Sequence, residues 1–329
     1  MPTRQTLAEI LFFSAGITKR RSYPGGEMQF RAAACTGALY HIDLYLICGD
    51  LEDLQAGVYH FSPHDFALRR LRAGDYRSSL VSASGEEPSI VSTPCVIVSV
   101  STFWRDTWKY PSRAYRHCYW DNGTILANLF AATAPRKIPA TIALGFVEAK
   151  VNQILGLDTR REAALSLVVI GEAWSRRLGV SPPMEPLVFE TAPLSKTEVD
   201  YPAIRAMHEA SSLESGAEVV KWREGREKAK SERIKDEGAE ARLFPLRLMP
   251  DEVLPQDSVE EVILRRGSTR QFAPESISFA QLSTMLDRAT RGVQAHFLQP
   301  GESSLNEIYL IVNAVDDLPS GIYLYRRAA

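Results

Sequence analysis

The chain has 329 residues, enough for two domains of ordinary size that each bury a hydrophobic core. Its 38 Lys and Arg residues nearly balance its 40 Asp and Glu residues, which gives a formal net charge of -2. This balance excludes the overall basic field that draws a protein to nucleic acid or to an anionic membrane. The expected partner is a small molecule or a locally recognised peptide.

The cysteines and the N-terminal residues indicate the cellular compartment in which the chain is expected. The four cysteines form no CxxC pair and lie among hydrophobic residues, which predicts reduced thiols and neither disulfides nor zinc. The six histidines show no metal-ligand spacing, so no metal is expected. The first apolar run contains Glu9 and lacks a signal-peptide cleavage site, and no run approaches the roughly twenty residues of a membrane helix. A cytoplasmic protein is expected.

The first half of the chain carries alternating helix and strand signals. Leu7, Ile10 and Leu11 have helical spacing, which predicts a helix with one buried face. The stretch "ALYHIDLYLICGD" predicts a strand, "GVYHFSPHDFALRRL" a hairpin, and "PCVIVSVSTFW" a strand at the centre of a sheet. A long helix over residues 115–133 and an interior strand in "ALSLVVIGEA" follow.

The amino-acid composition changes after Gly179. A proline-rich stretch is followed by residues 218–242, where fifteen of twenty-five residues are charged. Such a segment is typical of a solvated helix or a partly disordered arm. The predicted organisation is therefore a first unit over 1–179, a linker over 180–250 and a second unit over 251–329.

The second unit repeats part of the first. Residues 305–325, "LNEIYLIVNAVDDLPSGIYLY", align without gaps on residues 41–61, "HIDLYLICGDLEDLQAGVYHF", with seven identities in twenty-one. The preceding helix repeats as well, because the apolar spacing of Leu7, Ile10 and Leu11 recurs at Leu282, Met285 and Leu286. The chain thus holds two copies of one fold, and each is incomplete in a different way.

The stretch "VILRRGSTRQF" concentrates anion-binding side chains. Arg265, Arg266 and Arg270 offer forked donors suited to phosphate oxygens, and Ser268 and Thr269 add hydroxyl groups. One interpretation is therefore a phosphate site. The other is a helix end at the surface, where the arginines meet solvent or carboxylates.

These segments resemble one known family. The series "RRGSTRQF…ISFAQLSTMLDRATRG" in copy two, with "RAAACTGALYHIDLYLI" and "KYPSRAYRHCYWDNGTILANLFAAT" in copy one, resembles the FMN-dependent nitroreductase superfamily. The closer resemblance is to its SagB-type dehydrogenases, which oxidise azolines in ribosomal peptides to thiazoles and oxazoles. The resemblance implies an α+β nitroreductase-like fold, with a mainly antiparallel central sheet flanked by helices and a second partial copy.

The resemblance also implies where FMN binds. In the family, the arginines and serine of the first motif hold the FMN phosphate, and a loop from the partner subunit lines the flavin. Carried over, the cofactor-binding positions are Arg265, Arg266, Ser268, Arg270, Cys35, Thr36, Gly37, Asn128, Gly145 and Phe146. The loop departs from the family pattern at Cys35 and His41, and Asp121 stands where a glutamate is usual.

Lys109 and Tyr110 correspond to the catalytic pair of the azoline-oxidising branch. Oxidation sends a hydride to flavin N5 while a base removes a proton, and a desolvated lysine or a tyrosine suits that role. The alternative is a lysine at a loop edge beside a packed tyrosine. Arg113 and Arg116, three residues apart, are either structural or substrate-facing, or form surface ion pairs.

Family members bind FMN at a dimer interface, so a tandem chain is expected to form an intramolecular pseudo-dimer or a homodimer. Copy one lacks the phosphate motif, and copy two lacks the Lys-Tyr pair. Three explanations stay open: a piece of a longer tandem protein, two ends that complement each other, or a scaffold without flavin. The expected function is an FMN-dependent oxidoreductase acting on a small or modified-peptide substrate. The alternatives are a non-catalytic module of a peptide-modifying complex and a general NAD(P)H-dependent nitro or quinone reductase.

Overall fold

The structure is a computed structural model that describes residues 1–175, 178–189, 195–231, 242–298 and 306–327. The helices are α1 (Arg4–Ala15), α2 (Arg77–Ala83), α3 (Pro88–Val91), α4 (Trp104–Thr107), α5 (Ala114–Thr133), α6 (Glu148–Leu155), α7 (Pro202–Ser211), α8 (Gly216–Ser231), α9 (Val259–Arg265) and α10 (Phe279–Ala289). The strands are β1 (Ile17–Tyr23), β2 (Gly26–Arg31), β3 (Ile42–Cys48), β4 (Gly57–Ser62), β5 (Ala67–Ala73), β6 (Cys95–Thr102), β7 (Ala140–Ala143), β8 (Glu162–Ile170), β9 (Ile277–Ser278), β10 (Ile308–Val312), β11 (Val315–Asp316) and β12 (Gly321–Tyr325).

The centre of the first copy is a six-stranded sheet in the order β5-β4-β3-β6-β8-β7. Every neighbouring pair of strands is antiparallel. All eight residues of β6 are buried, and so are eight of the nine in β8. A strand covered on both faces needs a continuous apolar run, which explains why "PCVIVSVSTFW" and "ALSLVVIGEA" are the clearest strands in the sequence.

Helices cover both faces of this sheet. On one face, α1 and α5 pack together over the sheet through residues such as Leu7, Leu11 and Leu129, which are fully buried. On the other face, α2 and α6 contribute Leu80 and Ile154 to a second core cluster. The α+β class with a mainly antiparallel sheet between helices is confirmed.

The repeat is present in the backbone as well as in the sequence. Strands β10 and β12 pair in the same register as β3 and β4, and an isolated bridge after the first strand of each pair recurs too. Each paired residue of copy two is numbered 264 higher than its counterpart in copy one. In copy one the pairs are Tyr45↔His60, Cys48↔Gly57 and the bridge Leu51↔Leu54. In copy two they are Tyr309↔Leu324, Val312↔Gly321 and the bridge Val315↔Leu318. The second, partial copy therefore has the same local fold as the first.

Among the described residues, the second copy packs against the first at β7 and near the end of α5. The Ile142 N–H of β7 donates to the Gln294 carbonyl (2.8 Å), and the His296 N–H donates back to the Ile142 carbonyl (3.0 Å). Helix α9 packs on α5, where Arg136 lies 2.8 Å from both Glu9 and Glu260. The two copies are thus in direct contact within one chain.

The linker packs more closely than its composition suggests. Ile204 of α7 and Val219 of α8 are buried, although both helices are polar overall. Arg223 pairs with Glu87 at 2.9 Å. The first turns of α8 form a mostly exposed helix that docks on copy one through a few residues, chiefly the buried Val219. Residues 232–241 lie outside the described residues.

We expect the interface between the copies to depend on Arg136, whose side chain is 18% exposed and hydrogen-bonded to two carboxylates. Arg136→Ala should lower the free energy of unfolding by about 1–2 kcal/mol, because charge-assisted bonds are lost and Glu9 and Glu260 are left without a common partner. Urea denaturation measures this loss. Arg161, half exposed and paired with Asp158 and Glu198, is the matched control. Arg161→Ala should leave the free energy of unfolding close to the wild-type value, because exposed ion pairs contribute little, and an equal loss in both variants would contradict the account.

Candidate functional site

Gly37 marks the centre of the site. It lies on the loop between β2 and β3 in the left-handed region, with φ of 62°, which few residues other than glycine adopt readily. A Cβ atom at Gly37 would lie 2.8 Å from the Lys109 Nζ and 2.8 Å from the Tyr110 hydroxyl. Both functional groups of the predicted catalytic pair therefore converge on the same backbone position.

The turn after β6 holds this pair in place. The backbone N–H groups of Lys109 and Tyr110 both donate to the Asp106 carbonyl, at 3.1 and 3.0 Å. The Tyr110 ring packs edge-on against His117, with centroids 4.3 Å apart. Lys109 is exposed while Tyr110 is half-buried. The structure thus brings Lys109 and Tyr110 together with the loop containing Cys35, Thr36 and Gly37.

Behind this loop lies a buried polar cluster. The His41 Nε2 is 2.8 Å from an Asp121 carboxylate oxygen and 3.2 Å from an Asp106 oxygen. Asp121 also accepts hydrogen bonds from the Thr36 N–H and hydroxyl and from the Cys35 thiol, which lies 3.2 Å away. The Asp121 carboxylate therefore ties the loop to α5, together with the Thr124 hydroxyl, which donates to the Ala34 carbonyl at 2.6 Å.

Burial and hydrogen bonding shift the pKa values of the two carboxylates of the cluster in opposite directions. Burial raises the pKa of Asp106 to about 6, and neither of its oxygens receives a hydrogen bond from the part of the chain that the structure describes. Burial also raises the pKa of Asp121, but the hydrogen bonds from His41 and Thr36 outweigh it and leave that pKa below its usual value. Burial, together with Asp121, raises the pKa of the Cys35 thiol to about 12.

The phosphate motif reaches the same loop from copy two. The Arg266 guanidinium donates to the Ala32 carbonyl at 3.1 Å. Arg265 instead pairs with Asp257 near the start of α9, and Ser268 and Arg270 lie on an exposed extended segment. Of the four residues predicted to hold phosphate, only Arg266 contacts the first copy.

The segment at Gly145 forms a separate group. Gly145 has φ of 74°, and a Cβ atom there would lie 2.4 Å from the indole ring of Trp222 on α8. The Leu144 N–H donates to the His296 ring at 3.2 Å, and Phe146 is buried in the core. This group lies next to β7, which is three strands from β3 in the sheet, so the axes of the two strands are about 14 Å apart.

The remaining predicted positions lie apart from the Gly37 loop. The Asn128 side chain donates to the Phe13 carbonyl at 3.1 Å, so it binds the end of α1. The Arg113 guanidinium lies over the exposed Trp120 ring, 5.7 Å from its centroid. Sequence reasoning missed Asp106 entirely and treated His41 and Asp121 only as departures from the family pattern. A signal was present in the sequence: Cys35, His41 and Asp121 all depart from the family pattern, and the structure brings the three side chains into contact.

His208 attaches the linker to the first copy in a pH-dependent way. Its ring packs edge-on against Phe103 and Tyr115, and burial lowers the pKa of His208 below its ordinary value of about 6.5. The unfolded chain therefore binds the proton more readily than the folded chain. This contribution to stability is complete above about pH 6.5 and is lost as the pH falls toward the lowered pKa.

We expect the free energy of unfolding to fall between pH 7.5 and 5.5 by more in the wild type than in His208→Gln. Urea denaturation at both pH values measures the difference, and the carboxylates shared by the two proteins cancel in the comparison. A pH dependence unchanged by the substitution would show that His208 does not couple protonation to docking of α7.

The chain is similar in sequence to proteins from an archaeon and a bacterium. No family model matches the chain. Over 170 residues it is 24% identical to the protein named "Putative nitroreductase MJ1384" of Methanocaldococcus jannaschii, across 51% of this chain and 80% of that protein. Over 153 residues it is 29% identical to the trifolitoxin-processing protein TfxB of Rhizobium leguminosarum bv. trifolii, across 45% of this chain and 41% of that protein.

One solved structure covers both copies. A crystal structure of a "putative nitroreductase" from Anabaena variabilis matches 99% of this chain and 67% of its own chain, with a TM-score of 0.73 and 23% identity. The chain therefore has the nitroreductase fold. The predicted resemblance to nitroreductases is confirmed at the level of the fold. No helix in the described ranges is both long and apolar enough to cross a membrane.

Proposed function

We propose that the chain is an FMN-dependent oxidoreductase whose flavin site is built from both copies. The observation that carries this proposal is the Ala32–Gly37 loop, which Arg266 of copy two contacts at one end and the Lys109–Tyr110 pair contacts at the other. Five residues span at most about 17 Å. An FMN molecule lying along the loop would place its phosphate near Arg266 at one end and its ring system near Lys109 and Tyr110 at the other.

The residues of this loop fit the cofactor. Arg266 supplies a forked cation for a phosphate, and its exposed neighbours Ser268 and Arg270 are free of secondary structure. Gly37 lets a planar ring approach the backbone, because it carries no side chain beside Lys109 and Tyr110. The proposed boundaries of copy one, linker and copy two are 1–179, 180–250 and 251–329.

When bound, FMN would supply the hydride acceptor. Lys109 would hold the substrate and orient it against the Gly37 loop, and either its amine or the Tyr110 phenol would take the substrate proton. The similarity to a trifolitoxin-processing protein supports a modified peptide with an azoline ring as the substrate. A general NAD(P)H-dependent nitro or quinone reductase would use the same flavin without the proton-accepting pair.

A second candidate function is a non-catalytic module in a peptide-modifying complex. The observation that favours it is Trp222, whose indole ring packs on Gly145, the segment that the resemblance assigns to the flavin. If that segment holds the linker permanently, the chain keeps the fold as a scaffold.

Reconstitution with FMN separates these functions. The purified protein, incubated with excess FMN and freed of unbound flavin, should retain a flavin spectrum with about one flavin per chain. Arg266→Ala and Ser268→Ala should each reduce the retained flavin. A folded protein that stays colourless under these conditions would rule out the enzymatic proposal for this chain.

A further inference from the structure

The cluster behind the Gly37 loop has the make-up of a metal centre. The Cys35 sulfur, a ring nitrogen of His41 and an oxygen of Asp121 all lie within 4.8 Å of one another. Sulfur, nitrogen and carboxylate oxygen in one place are the ligand types that zinc prefers. Neighbouring ligand atoms in a tetrahedral zinc site are about 3.3–3.6 Å apart, as zinc–ligand bonds of about 2.0–2.3 Å require. The observed contacts of 2.8 Å (His41–Asp121) and 3.2 Å (Cys35–Asp121) are close to that spacing.

Asp106 is the second, independent observation. Its side chain is fully buried and neither carboxylate oxygen receives a hydrogen bond from the described residues. One of these oxygens faces the His41 Nε2 at 3.2 Å. A buried carboxylate in this state is costly unless a positive centre lies beside it. The Asp106 carboxylate faces the cluster at the position of a fourth metal ligand.

The surrounding hydrogen bonds orient the cluster as the outer contacts of a metal site do. The Ser101 hydroxyl donates to the Cys118 sulfur at 3.1 Å, so its lone pairs can accept from the His41 Nδ1, 3.0 Å away. The His41 Nε2–H donates to Asp121 at 2.8 Å, and a metal ion would take the place of that proton. The Tyr40 N–H donates to the Cys35 sulfur at 3.1 Å, a contact that stabilises a thiolate.

We propose that Cys35, His41 and Asp121 bind a zinc ion, with Asp106 as the fourth ligand. Nothing in the sequence spacing of these residues indicated a metal, because the ligands come from a loop, α5 and the turn after β6. The ion would join those three elements directly behind Gly37 and so fix the loop against which Lys109 and Tyr110 lie. Because the metal is titrated into the flavin-free chain, the test of this site does not depend on flavin binding.

The test uses the full chain, purified under reducing conditions, stripped with a chelator and freed of flavin. Titration with Co²⁺ should give a sulfur-to-cobalt charge-transfer band that saturates at one equivalent per chain, and Zn²⁺ should displace the cobalt. Adding one equivalent of zinc should raise the unfolding temperature, because the metal binds only the folded chain. Elemental analysis of the unstripped protein should find about one zinc per chain.

Variants assign the site. Cys35→Ala should abolish the charge-transfer band, and His41→Ala and Asp106→Asn should each weaken cobalt binding by at least about tenfold. Cys48→Ala is the control, since the buried Cys48 thiol lies on β3 and donates to the Gln55 carbonyl; this variant should bind cobalt as the wild type does. The proposal is overturned if the folded wild type gives no charge-transfer band, or if Cys35→Ala binds the metal unchanged. Circular dichroism confirms that each variant is folded.

Discussion

Gly37→Ala is expected to stop substrate oxidation while the chain still folds. A Cβ atom at this position would lie 2.8 Å from both the Lys109 amine and the Tyr110 hydroxyl, closer than atoms can pack. The backbone also has a positive φ that costs a residue with a side chain about 1–2 kcal/mol. Both groups must therefore move away, and a displacement of about 1 Å at a reacting centre lowers the rate by about a hundredfold.

Oxidation of a thiazoline-containing peptide, followed by mass spectrometry as the loss of two hydrogen atoms, measures this effect. Gly123→Ala is the matched control, because no atom lies within 4 Å of its added Cβ and the position is inside a helix. The control should be as active as the wild type and more stable by about 0.5–1 kcal/mol. If Gly37→Ala oxidises the peptide at the wild-type rate, Gly37, Lys109 and Tyr110 do not form the site.

Lys109→Met should separate the azoline dehydrogenase from a general reductase. Methionine keeps the length of the side chain but removes the amine that lies beside Gly37. Loss of a proton acceptor is expected to slow peptide oxidation by about 10²–10⁴-fold. FMN should stay bound, and NADPH-driven reduction of a quinone should continue at close to the wild-type rate, since that reaction does not use the amine.

Tyr110→Phe completes this test. It removes only the hydroxyl and leaves the ring packed against His117, so stability should change little. If one substitution slows peptide oxidation and the other does not, the residue that matters is the proton acceptor. If quinone reduction falls as steeply as peptide oxidation in Lys109→Met, the amine supports the flavin generally and the azoline assignment loses its basis.

The sequence was sufficient to predict elements whose pattern is local. Strand β6 is a continuous β-branched run, α5 has a helical apolar period, and the repeat fixes the register of β10 and β12. Residues adjacent in sequence, such as Lys109 and Tyr110, could be assigned as a pair. Each of these depends on neighbours along the chain, which the sequence shows directly.

The contacts between distant segments could not be predicted in the same way. The hydrogen bond from Arg266 to Ala32 joins residues 234 positions apart, and Trp222 meets Gly145 only because α8 docks through Val219. The buried His41–Asp121 pair likewise depends on the packing of a loop against α5. Nothing in local composition determines which of several exposed arginines or tryptophans will make such a contact.

The central claim is that Arg266 of copy two and the Gly37 loop of copy one serve the same flavin. Titration of the wild type and of Arg266→Ala with FMN and with riboflavin, which lacks the phosphate, tests it directly through flavin fluorescence. The wild type should bind FMN about 10–100-fold more tightly than riboflavin, as a charge-assisted hydrogen bond to phosphate predicts, and Arg266→Ala should lose that preference. Equal affinity of the wild type for the two flavins, or an FMN preference that survives Arg266→Ala, would contradict the account.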